Sequence, residues 1–314
     1  VKEVWQVARP LERVIHTMGW PLPSDTFGGS WCYPMGPEQV SIGLVAGLDS
    51  RHGGLDVHES LQRMKLHPLF RDILAGGTLL EWGAKTIPEG GWYALPERLV
   101  GDGLAMIGDT AGFVDVPSLK GVHYAMESGM MAADSIAAAL STDGAASTES
   151  LLGYDQAVRA SVIGRDLHRT RNIRLAFRDG FAIGAVKAGL MTLTGGRFPG
   201  GRIAMHRDAD TPRRMDGHEA FIPDNIMTFS KVDAVFKSGN ATRDDVPSHL
   251  IVGRDVSGEV ADFYARVCPA GVYERDGDML RVNAPNCIDC KATDVVGPRW
   301  MPREGGSGPR YRLM

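Results

Sequence analysis

The stretch LAMIGDTAGFVDVPSLKGVHYAMESG, residues 104–129, constrains the fold more than any other part of this 314-residue chain. Together with the preceding LVGDG, residues 99–103, its pattern predicts one continuous buried strand that runs into a glycine-rich turn and then into a helix of small residues. Gly108 and Asp109 stand where the strand ends, and Gly112 allows another group to approach the backbone closely. The helix is predicted to begin near Gly121.

This arrangement has the chemistry of a flavin contact. The carboxylate of Asp109 can bond a ribityl or ribose hydroxyl, and the first amides of the helix can stabilise negative charge on a flavin ring. The pattern therefore predicts the second flavin-contacting segment of a glutathione-reductase-type FAD domain. A tightly packed strand–helix joint without a ligand is the alternative. The candidate FAD-binding residues are Gly108, Asp109, Gly112, Pro117 and Gly121.

One expected motif is not in the sequence. An FAD domain of this type holds the pyrophosphate on a G-x-G-x-x-G turn followed by an acidic strand end. The chain contains no such turn and does not begin with Met. We therefore expect the pyrophosphate half to lie upstream of residue 1, and we expect this chain alone to bind FAD weakly or not at all.

Charge and cysteine content exclude some classes of protein. A net charge of −4 and a pI near 6.2 give no reason to expect nucleic acid as a partner. Four cysteines in a chain of this length are not a disulfide framework. Three of them lie from residue 268 onward, which indicates metal chemistry in a reducing compartment. We expect the fourth, Cys32, to be a small buried hydrophobic residue.

The C-terminal cysteines predict a metal site. Cys268 begins CPAGVYE, and NCIDCKATDV contains the C-x-x-C pair Cys287 and Cys290. A further step of three residues reaches Thr293 instead of a third cysteine. Cys-Pro together with C-x-x-C is typical of ferredoxin-type clusters. Zinc held by three thiolates and a fourth donor, which Asp289, Asp294 or a histidine could supply, is a rival, and three unrelated buried thiols are the remaining alternative.

The stretch TFGGSWCY predicts a flat apolar slot. Gly28 and Gly29 stand beside the aromatic residues Phe27, Trp31 and Tyr33, and glycine leaves backbone groups free to bond a ring carbonyl. A simple Gly-Gly turn is the alternative.

Hydrophobic patterns predict further elements. Residues 1–95 alternate short strand-like runs with turns, and HESLQRMKLHPLFRDIL, residues 58–74, predicts one amphipathic helix. More helices are predicted from about residue 149 to about 178. The apolar run Gly180–Gly196 is too short for a confident membrane span. It is either a core helix or an interfacial helix, with Arg178, Arg197 and Arg202 at its flanks to meet anionic headgroups.

Eight collinear motifs resemble the electron-transfer flavoprotein–ubiquinone oxidoreductase family over nearly the whole chain. They are RVIHTMGWPL, TFGGSWCY, GLVAGLD, HPLFRDILAGG, GDTAGFVDVPSLKGVHYAMESGMMAADSI, CPAGVYE, LRVNAPNCIDCK and PREGGSGPRY. Relative to that family, the chain corresponds to the C-terminal three-fifths. The resemblance implies an α+β fold with a quinone-binding β-rich domain over 1–95, part of a glutathione-reductase-type FAD domain over 96–205, and a ferredoxin-like iron–sulfur domain over 206–314.

The resemblance also implies a quinone-reducing oxidoreductase. Electrons would pass from reduced electron-transfer flavoprotein, through FAD and a [4Fe-4S] cluster, to ubiquinone. The enzyme would be monotopic on the bacterial cytoplasmic or mitochondrial matrix face of an energy-transducing inner membrane, with residues 180–196 at the surface. Gly28 and Gly29 match the quinone-contacting pair of the family, and Gly108 and Asp109 match its flavin-contacting turn. Its cluster ligands fall on Cys268, Cys287, Cys290 and Thr293.

Several positions depart from the family pattern. Thr293 replaces a cysteine ligand, which leaves three thiolates for a three-iron cluster or for a four-iron cluster completed by water or Asp294. The loop from Thr293 to Trp300 is about four residues shorter than usual in the family. Pro88 replaces a frequent Asn near the flavin, and Val122 and Tyr124 replace two threonines. The alternatives are a truncated or degenerate member with incomplete cofactor binding, or a related flavin oxidoreductase without a cluster.

Overall fold

The computed structural model describes residues 1–118, 120–215, 217, 221–243, 245–253, 255–296, 301, 303 and 305–314, without the side chain of Asp179. These residues form two compact units. The first contains Val1–Thr86 and His206–Met314, and the second contains Ile87–Met205. Antiparallel sheets occur together with helices, which confirms the α+β prediction. The division into three domains stays a prediction.

An antiparallel sheet is the framework of the first unit. Its strands are β1 (Lys2–Gln6), β2 (Ile15–Met18), β3 (Gly28–Pro34), β4 (Gln39–Ala46) and β5 (Thr78–Gly83). Their order in the sheet is β2–β3–β4–β1–β5. Trp5 and Ile42, from the central strands, are buried in one hydrophobic core with Leu61 and Phe70 from the segment that follows β4. Burial of such side chains is the main source of stabilisation for this sheet.

The segment after β4 forms two helices, α1 (Val57–Lys65) and α2 (Pro68–Leu74). The prediction of a single helix over residues 58–74 was therefore wrong. Pro68 is the cause, because a proline disfavours helical backbone at the residue before it and has no amide to donate. His67 accordingly has an extended conformation, with φ −63° and ψ 136°, and its ring accepts a hydrogen bond from the amide of Leu69.

A buried ion pair joins β1 to α1. The ammonium group of Lys65 lies 2.8 Å and 3.0 Å from the two carboxylate oxygens of Glu3, and neither side chain is exposed. Trp5 and Gln62 donate further hydrogen bonds to the same carboxylate, at 2.6 Å and 2.9 Å. Every charge in this group is thus paired, as burial away from water requires.

The second unit is mostly helical. It contains the short hairpin β6 (Val100–Gly101) and β7 (Leu104–Ala105), then α3 (Val122–Asp143), α4 (Thr148–Ala160), α5 (Val162–Arg169), α6 (Ile173–Ala176) and α7 (Phe181–Leu193). The predicted helix start near Gly121 is confirmed, since Gly121 caps α3. The predicted continuous strand was wrong. Asp102 and Gly103 form a turn, with Gly103 at φ +68°, and this dipeptide favours a hairpin.

The C-terminal part of the first unit consists of short elements around a second core. They are α8 (Lys231–Phe236), α9 (Gly258–Val267), β8 (Tyr273–Asp276) and β9 (Met279–Val282), of which the two strands form a hairpin. Tyr264 and Leu280 are buried in this core, and the thiols of Cys268 and Cys290 are buried with them. The candidate metal ligands therefore lie within the packing of the first unit.

Candidate functional site

Three cysteines line one cavity. Cys268, Cys287 and Cys290 lie in the wall of the same small, partly open cavity. Thr293 belongs to the same wall, so the structure brings together all four positions that the resemblance assigns to a cluster. The other residues of the wall are Leu250, Ala270, Val272, Tyr273, Ile288, Asp289 and Lys291.

Short turns place these thiols. Cys268 caps the end of α9, and Cys287 follows a single turn of 3-10 helix. On either side of Cys290, Asp289 and Lys291 have left-handed φ values of 54° and 65°. Such values are uncommon outside glycine, and they let the chain reverse direction within a few residues. The loop can therefore place both of its cysteines, Cys287 and Cys290, in the cavity wall.

Burial raises the pKa values of the two buried thiols, Cys268 and Cys290. It raises the pKa of Cys290 to about 12 and also raises the pKa of Cys268. The ammonium group of Lys231 opposes the shift at Cys268, and it donates a 2.7 Å hydrogen bond to the carbonyl oxygen of that residue. Both thiols are therefore protonated near neutral pH when no metal is bound. Iron binding would displace these protons, because the thiolate is the ligand.

Thr293 supplies a hydroxyl where the family has a thiolate. Its side chain hydrogen-bonds with the hydroxyl of Tyr273, and it lies in the turn Ala292–Val296. Asp294 lies in the same turn but is not among the described residues of the cavity wall. An alkoxide is too basic to form readily on iron, so the described wall offers three good ligands. Residues 297–300, part of the loop that we predict to be short, lie outside the described residues.

A second group of polar side chains surrounds Cys287, and the sequence motifs did not reveal it. The thiol of Cys287 donates to the carboxylate of Asp289 at 3.6 Å. His249 Nε2 lies 3.4 Å from the same carboxylate oxygen, and Arg303 Nε lies 3.2 Å from it. Arg303 also donates to the carbonyl oxygen of Cys287. No local pattern joins residues 249, 287 and 303, so only the folded chain shows this cluster.

The charges in this group shift two pKa values. Burial lowers the pKa of His249, but its hydrogen bonds with Asp289 and Cys287 outweigh burial and raise the pKa to about 9. Burial raises the pKa of Asp289, but the hydrogen bond with His249 and the charge of Arg303 outweigh it and lower the pKa. The metal-free site therefore holds an ionised carboxylate beside cationic groups.

Gly28 and Gly29 begin β3 and do not form a simple turn. A Cβ atom on Gly29 would lie 2.2 Å from the carbonyl oxygen of Thr17, and one on Gly28 would lie 2.2 Å from that of Val45. Glycine is therefore required at both positions by the packing of the sheet itself. Because successive residues of a strand face opposite sides, the two glycines do not line the same surface.

Gly29 shares its face of the sheet with aromatic side chains. Trp31 and Tyr33 follow at alternate positions of β3, and the ring of Trp31 lies over the backbone of Gly43. The hydroxyl of Tyr33 lies 3.0 Å from Nε2 of His16, which is exposed on β2. This face carries the aromatic side chains Trp31 and Tyr33, but only one of the two glycines belongs to it, and the flat slot stays a prediction.

The predicted flavin-contacting residues meet at the start of α3. A Cβ atom on Gly121 would lie 2.2 Å from a carboxylate oxygen of Asp109, so this exposed carboxylate stands beside the N-terminus of the helix. Gly108 has φ +56°, and a Cβ there would lie 2.9 Å from the Cβ of Ala125. The positive φ of Gly108 and its close packing against α3 therefore explain why glycine occupies this position, and no contact with a ligand is needed to explain it.

The remaining two predicted residues complete the turn. Gly112 ends a turn of 3-10 helix with φ +83°, and its amide donates to the carbonyl oxygen of Asp109 at 3.0 Å. Pro117 is exposed in the loop that leads to α3. The carboxylate of Asp109 and the beginning of α3 are thus the parts of this segment that remain open to a ligand.

Helix α7 does not have the burial of a core helix. Only Gly184 and Met191 are buried, and the interpretation as a core helix was therefore wrong. Five large apolar side chains are exposed along the helix: Phe181, Ile183, Val186, Leu190 and Leu193. Within the described residues, no helix has the length and the apolar character needed to cross a membrane.

Family models match both ends of the chain. A model described as ETF-QO, ubiquinone-binding, matches residues 1–87. A model described as electron transfer flavoprotein-ubiquinone oxidoreductase, 4Fe-4S, matches residues 225–312. The chain belongs to the electron transfer flavoprotein-ubiquinone oxidoreductase family. The cavity with its three thiols lies in the part of the chain matched by the 4Fe-4S model of this family.

Curated relatives in this family match the entire chain. The mitochondrial electron transfer flavoprotein-ubiquinone oxidoreductase of Arabidopsis thaliana is 37% identical over 337 residues, which cover 100% of this chain and 52% of the relative. The human mitochondrial protein of the same name is 33% identical over 347 residues, which cover 100% of this chain and 56% of the relative. The chain thus spans about half the length of the curated relatives that it matches.

A comparison with solved structures also gives matches. A geranylgeranyl bacteriochlorophyll reductase-like protein from Thermoplasma acidophilum has 16% identity and a TM-score of 0.45, and the match covers 62% of this chain and 47% of that protein.

Proposed function

We propose that this chain serves electron transfer from reduced electron-transfer flavoprotein, through FAD and an iron–sulfur cluster, to ubiquinone. The observation that carries the proposal is the cavity shared by Cys268, Cys287 and Cys290, in the segment that matches the 4Fe-4S model. The ubiquinone-binding model over residues 1–87 supports the acceptor. When bound, flavin and cluster supply the redox chemistry, and the protein supplies ligands, burial and orientation.

The cluster would be held by three protein thiolates. Cys268 and Cys290 are buried, which would limit access of water to the metal, and Cys287 is partly exposed. Lys231 fixes the backbone at Cys268 through its hydrogen bond to the carbonyl oxygen, and it pairs with Asp56 at 2.6 Å. The residues therefore fit a three-iron cluster, or a four-iron cluster whose last ligand is not a thiolate.

FAD would lie against the start of α3. The proposed contacts are the carboxylate of Asp109 with a sugar hydroxyl, and the first amides of α3 with the electron-rich edge of the flavin ring. Gly108, Gly112, Pro117 and Gly121 would shape the turn around them. The type of FAD domain, glutathione-reductase-like, is part of this proposal.

The quinone would bind at the sheet. Gly29 lies on the face that also presents Trp31 and Tyr33, and Gly28 lies beside it in the same strand. A flat ring packs well against aromatic side chains, which supports a quinone at this face. Gly28 would act through the packing of β3 against β4, and Gly29 would lie nearer to the ligand.

The protein would attach peripherally to an energy-transducing inner membrane. Helix α7 supports this placement, because its apolar side chains are exposed and Arg178, Arg197 and Arg202 flank it. An apolar helix face together with flanking cations is typical of interfacial attachment.

Anaerobic reconstitution tests the proposed function. The zinc-free chain is incubated with iron and sulfide and then analysed for iron, sulfide and zinc, with EPR and absorbance spectra. We expect iron and sulfide in near-equal amounts and an EPR signal from the cluster. Flavin bands without any cluster would favour a flavin oxidoreductase that lacks one. Neither cofactor, or zinc without sulfide, would contradict the proposal and favour a degenerate member.

A further inference from the structure

Cys287, Asp289 and His249 form a compact set of metal-ligand atoms. One donor atom from each residue lies within 4.8 Å of the donors from the other two. The sulfur of Cys287 is 3.6 Å from Oδ1 of Asp289, and that oxygen is 3.4 Å from Nε2 of His249. Within the part of the chain that the structure describes, this is the one group of three or more His, Cys, Asp or Glu residues with this spacing.

These separations agree with a single tetrahedral ion. Zinc bonds of about 2.3 Å to sulfur and about 2.0–2.2 Å to nitrogen or oxygen place neighbouring ligand atoms roughly 3.4–3.6 Å apart in a tetrahedron. The two measured separations fall in this range before any metal is added. His249 comes from a segment 38 positions before Cys287 (287 minus 249), so the fold itself creates the set.

We propose that His249, Cys287 and Asp289 form a mononuclear site for zinc or a similar divalent transition-metal ion, and that Cys287 is the one ligand that this site shares with the proposed iron–sulfur cluster. A thiolate and a carboxylate neutralise the two charges of the ion, and imidazole is a common third ligand. The side chain of Asp289 is 33% exposed, so water can reach the fourth position. The proposal does not depend on the electron-transfer function.

Arg303 competes with the metal for these donors. Its Nε donates a hydrogen bond to Nε2 of His249 at 3.1 Å and lies 3.2 Å from Oδ1 of Asp289, so a guanidinium cation contacts both donor atoms in the metal-free chain. A bound ion has to displace this side chain. Arg303 should therefore weaken metal binding, and its removal should strengthen binding.

Because both metal sites need the thiolate of Cys287, they cannot be occupied at the same time. Cys287 can ligate a single ion or an iron of the cluster, but one thiolate does not complete both sites. Zinc binding should thus block cluster assembly by removing one of its three cysteines, and chelation of zinc should restore it. Cys268 and Cys290 belong to the cluster cavity alone.

The test is a zinc titration of the reduced, metal-free, full chain against a chromophoric chelator. His249→Ala and Asp289→Asn should each weaken zinc binding at least tenfold, since even the loss of an outer partner costs roughly 10–100-fold. Arg303→Gln should strengthen binding by about tenfold or more, because a cation next to a second cation is repelled. Cys268→Ser and Cys290→Ser should leave the affinity unchanged.

Cobalt provides a second measurement, because the intensity of its thiolate charge-transfer band grows with the number of thiolates. We expect the spectrum of a one-thiolate tetrahedral site. A three-thiolate spectrum, or zinc affinity that depends on Cys268 and Cys290 but not on His249, would overturn the proposal, as would failure to bind zinc at all. Circular dichroism of each metal-free variant checks its fold, and His249→Gln replaces His249→Ala if the smaller side chain unfolds the chain.

Discussion

A single hydroxyl at Thr293 sets the number of protein thiolates in the proposed cluster. Because Thr293 lines the same cavity as the three cysteines, Thr293→Cys places a fourth thiol in the wall. We expect the iron content after anaerobic reconstitution to rise by about one atom per chain, and we expect slower loss of the cluster in air, since thiolates are the preferred ligands. Iron and sulfide analysis with EPR measures both effects.

The matched control adds a thiol elsewhere. Thr142 is exposed near the end of α3 in the second unit, so Thr142→Cys introduces a cysteine away from the cavity. It should leave iron content unchanged. An equal rise in both variants, or no rise with Thr293→Cys, would contradict the assignment of position 293 as the fourth ligand.

His249 is expected to make the stability of the metal-free protein decrease as the pH rises. Its pKa in the folded chain is about 9 and its ordinary value is 6.5. The stability from the protonated ring is therefore complete below pH 6.5 and is lost as the pH rises through about 9. As the pH rises from 6.5 to about 9, we expect the free energy of unfolding to fall more steeply in the unchanged chain than in His249→Ala. Urea unfolding with chelator present measures it, and parallel pH profiles would be evidence against this charge pairing.

At the scale of elements, α7 is expected to bind a membrane surface. Replacing Phe181, Ile183 and Leu190 with Asp removes three exposed apolar side chains, each worth about 1.5–3 kcal/mol when buried. Binding to anionic liposomes should therefore fall by at least about tenfold. Sedimentation with liposomes measures it. Leu140→Asp, on an exposed site of α3, is the control and should have little effect, whereas unchanged binding of the triple variant would reject α7 as the anchor.

Strand β3 is expected to be sensitive to any side chain at Gly29. The added Cβ in Gly29→Ala would lie 2.2 Å from the carbonyl oxygen of Thr17, so the strands must separate. We expect the free energy of unfolding to fall by about 1–3 kcal/mol, as for other overpacked sites. Gly129→Ala in α3 meets no atom within 4 Å, and it should be neutral or stabilising by about 0.5–1 kcal/mol. Chemical denaturation compares the two, and equal stabilities would show that β3 has more room than this packing implies.

The packing of β3 affects how a quinone-reduction assay of Gly29→Val is interpreted. Impaired quinone reduction in Gly29→Val would reflect the loss of β3 packing as well as the loss of a binding surface. Trp31→Leu and Tyr33→Phe, on the same face of the strand, probe the surface without adding a side chain that collides with a neighbouring strand.

Local sequence patterns predicted some elements well and others poorly. The start of α3 at Gly121 follows from a motif that spans few residues, whereas the convergence of Cys268 with the C-x-x-C pair was predicted from two separate motifs and the family resemblance. The break before Pro68 and the turn at Gly103 also have local causes, the proline and the Asp-Gly pair. We gave more weight to the hydrophobic pattern and therefore predicted one helix and one strand that are each divided in the structure. The contact of His249 with Arg303 has no local cause, because side chains 54 positions apart meet only through the fold. Sequence reasoning could not find it.

At the scale of the whole molecule, iron and flavin are expected to bind independently. The three cysteines belong to the first unit, and the residues around Asp109 belong to the second. In a longer protein that also carries the pyrophosphate-binding turn, the double variant Cys287→Ser and Cys290→Ser should lose iron and leave FAD affinity unchanged, whereas Asp109→Asn should weaken FAD binding and leave iron content unchanged. Iron analysis and flavin fluorescence titration measure these effects. Loss of both cofactors in either variant would show that the sites are coupled.

The C-terminal residues also close the edge of the first sheet. The amide of Thr86, just beyond edge strand β5, donates to the carbonyl oxygen of Cys290, and Lys85 donates to that of Asp289. The carboxylate of Glu81 in β5 accepts hydrogen bonds from the amides of residues 312 and 313. These contacts join positions more than 200 residues apart, which gives this part of the molecule a high contact order and predicts slow folding. During synthesis on the ribosome, the contacts that hold the loop of Asp289 and Cys290 against Lys85 and Thr86 can therefore form only after residues 289 and 290 have emerged.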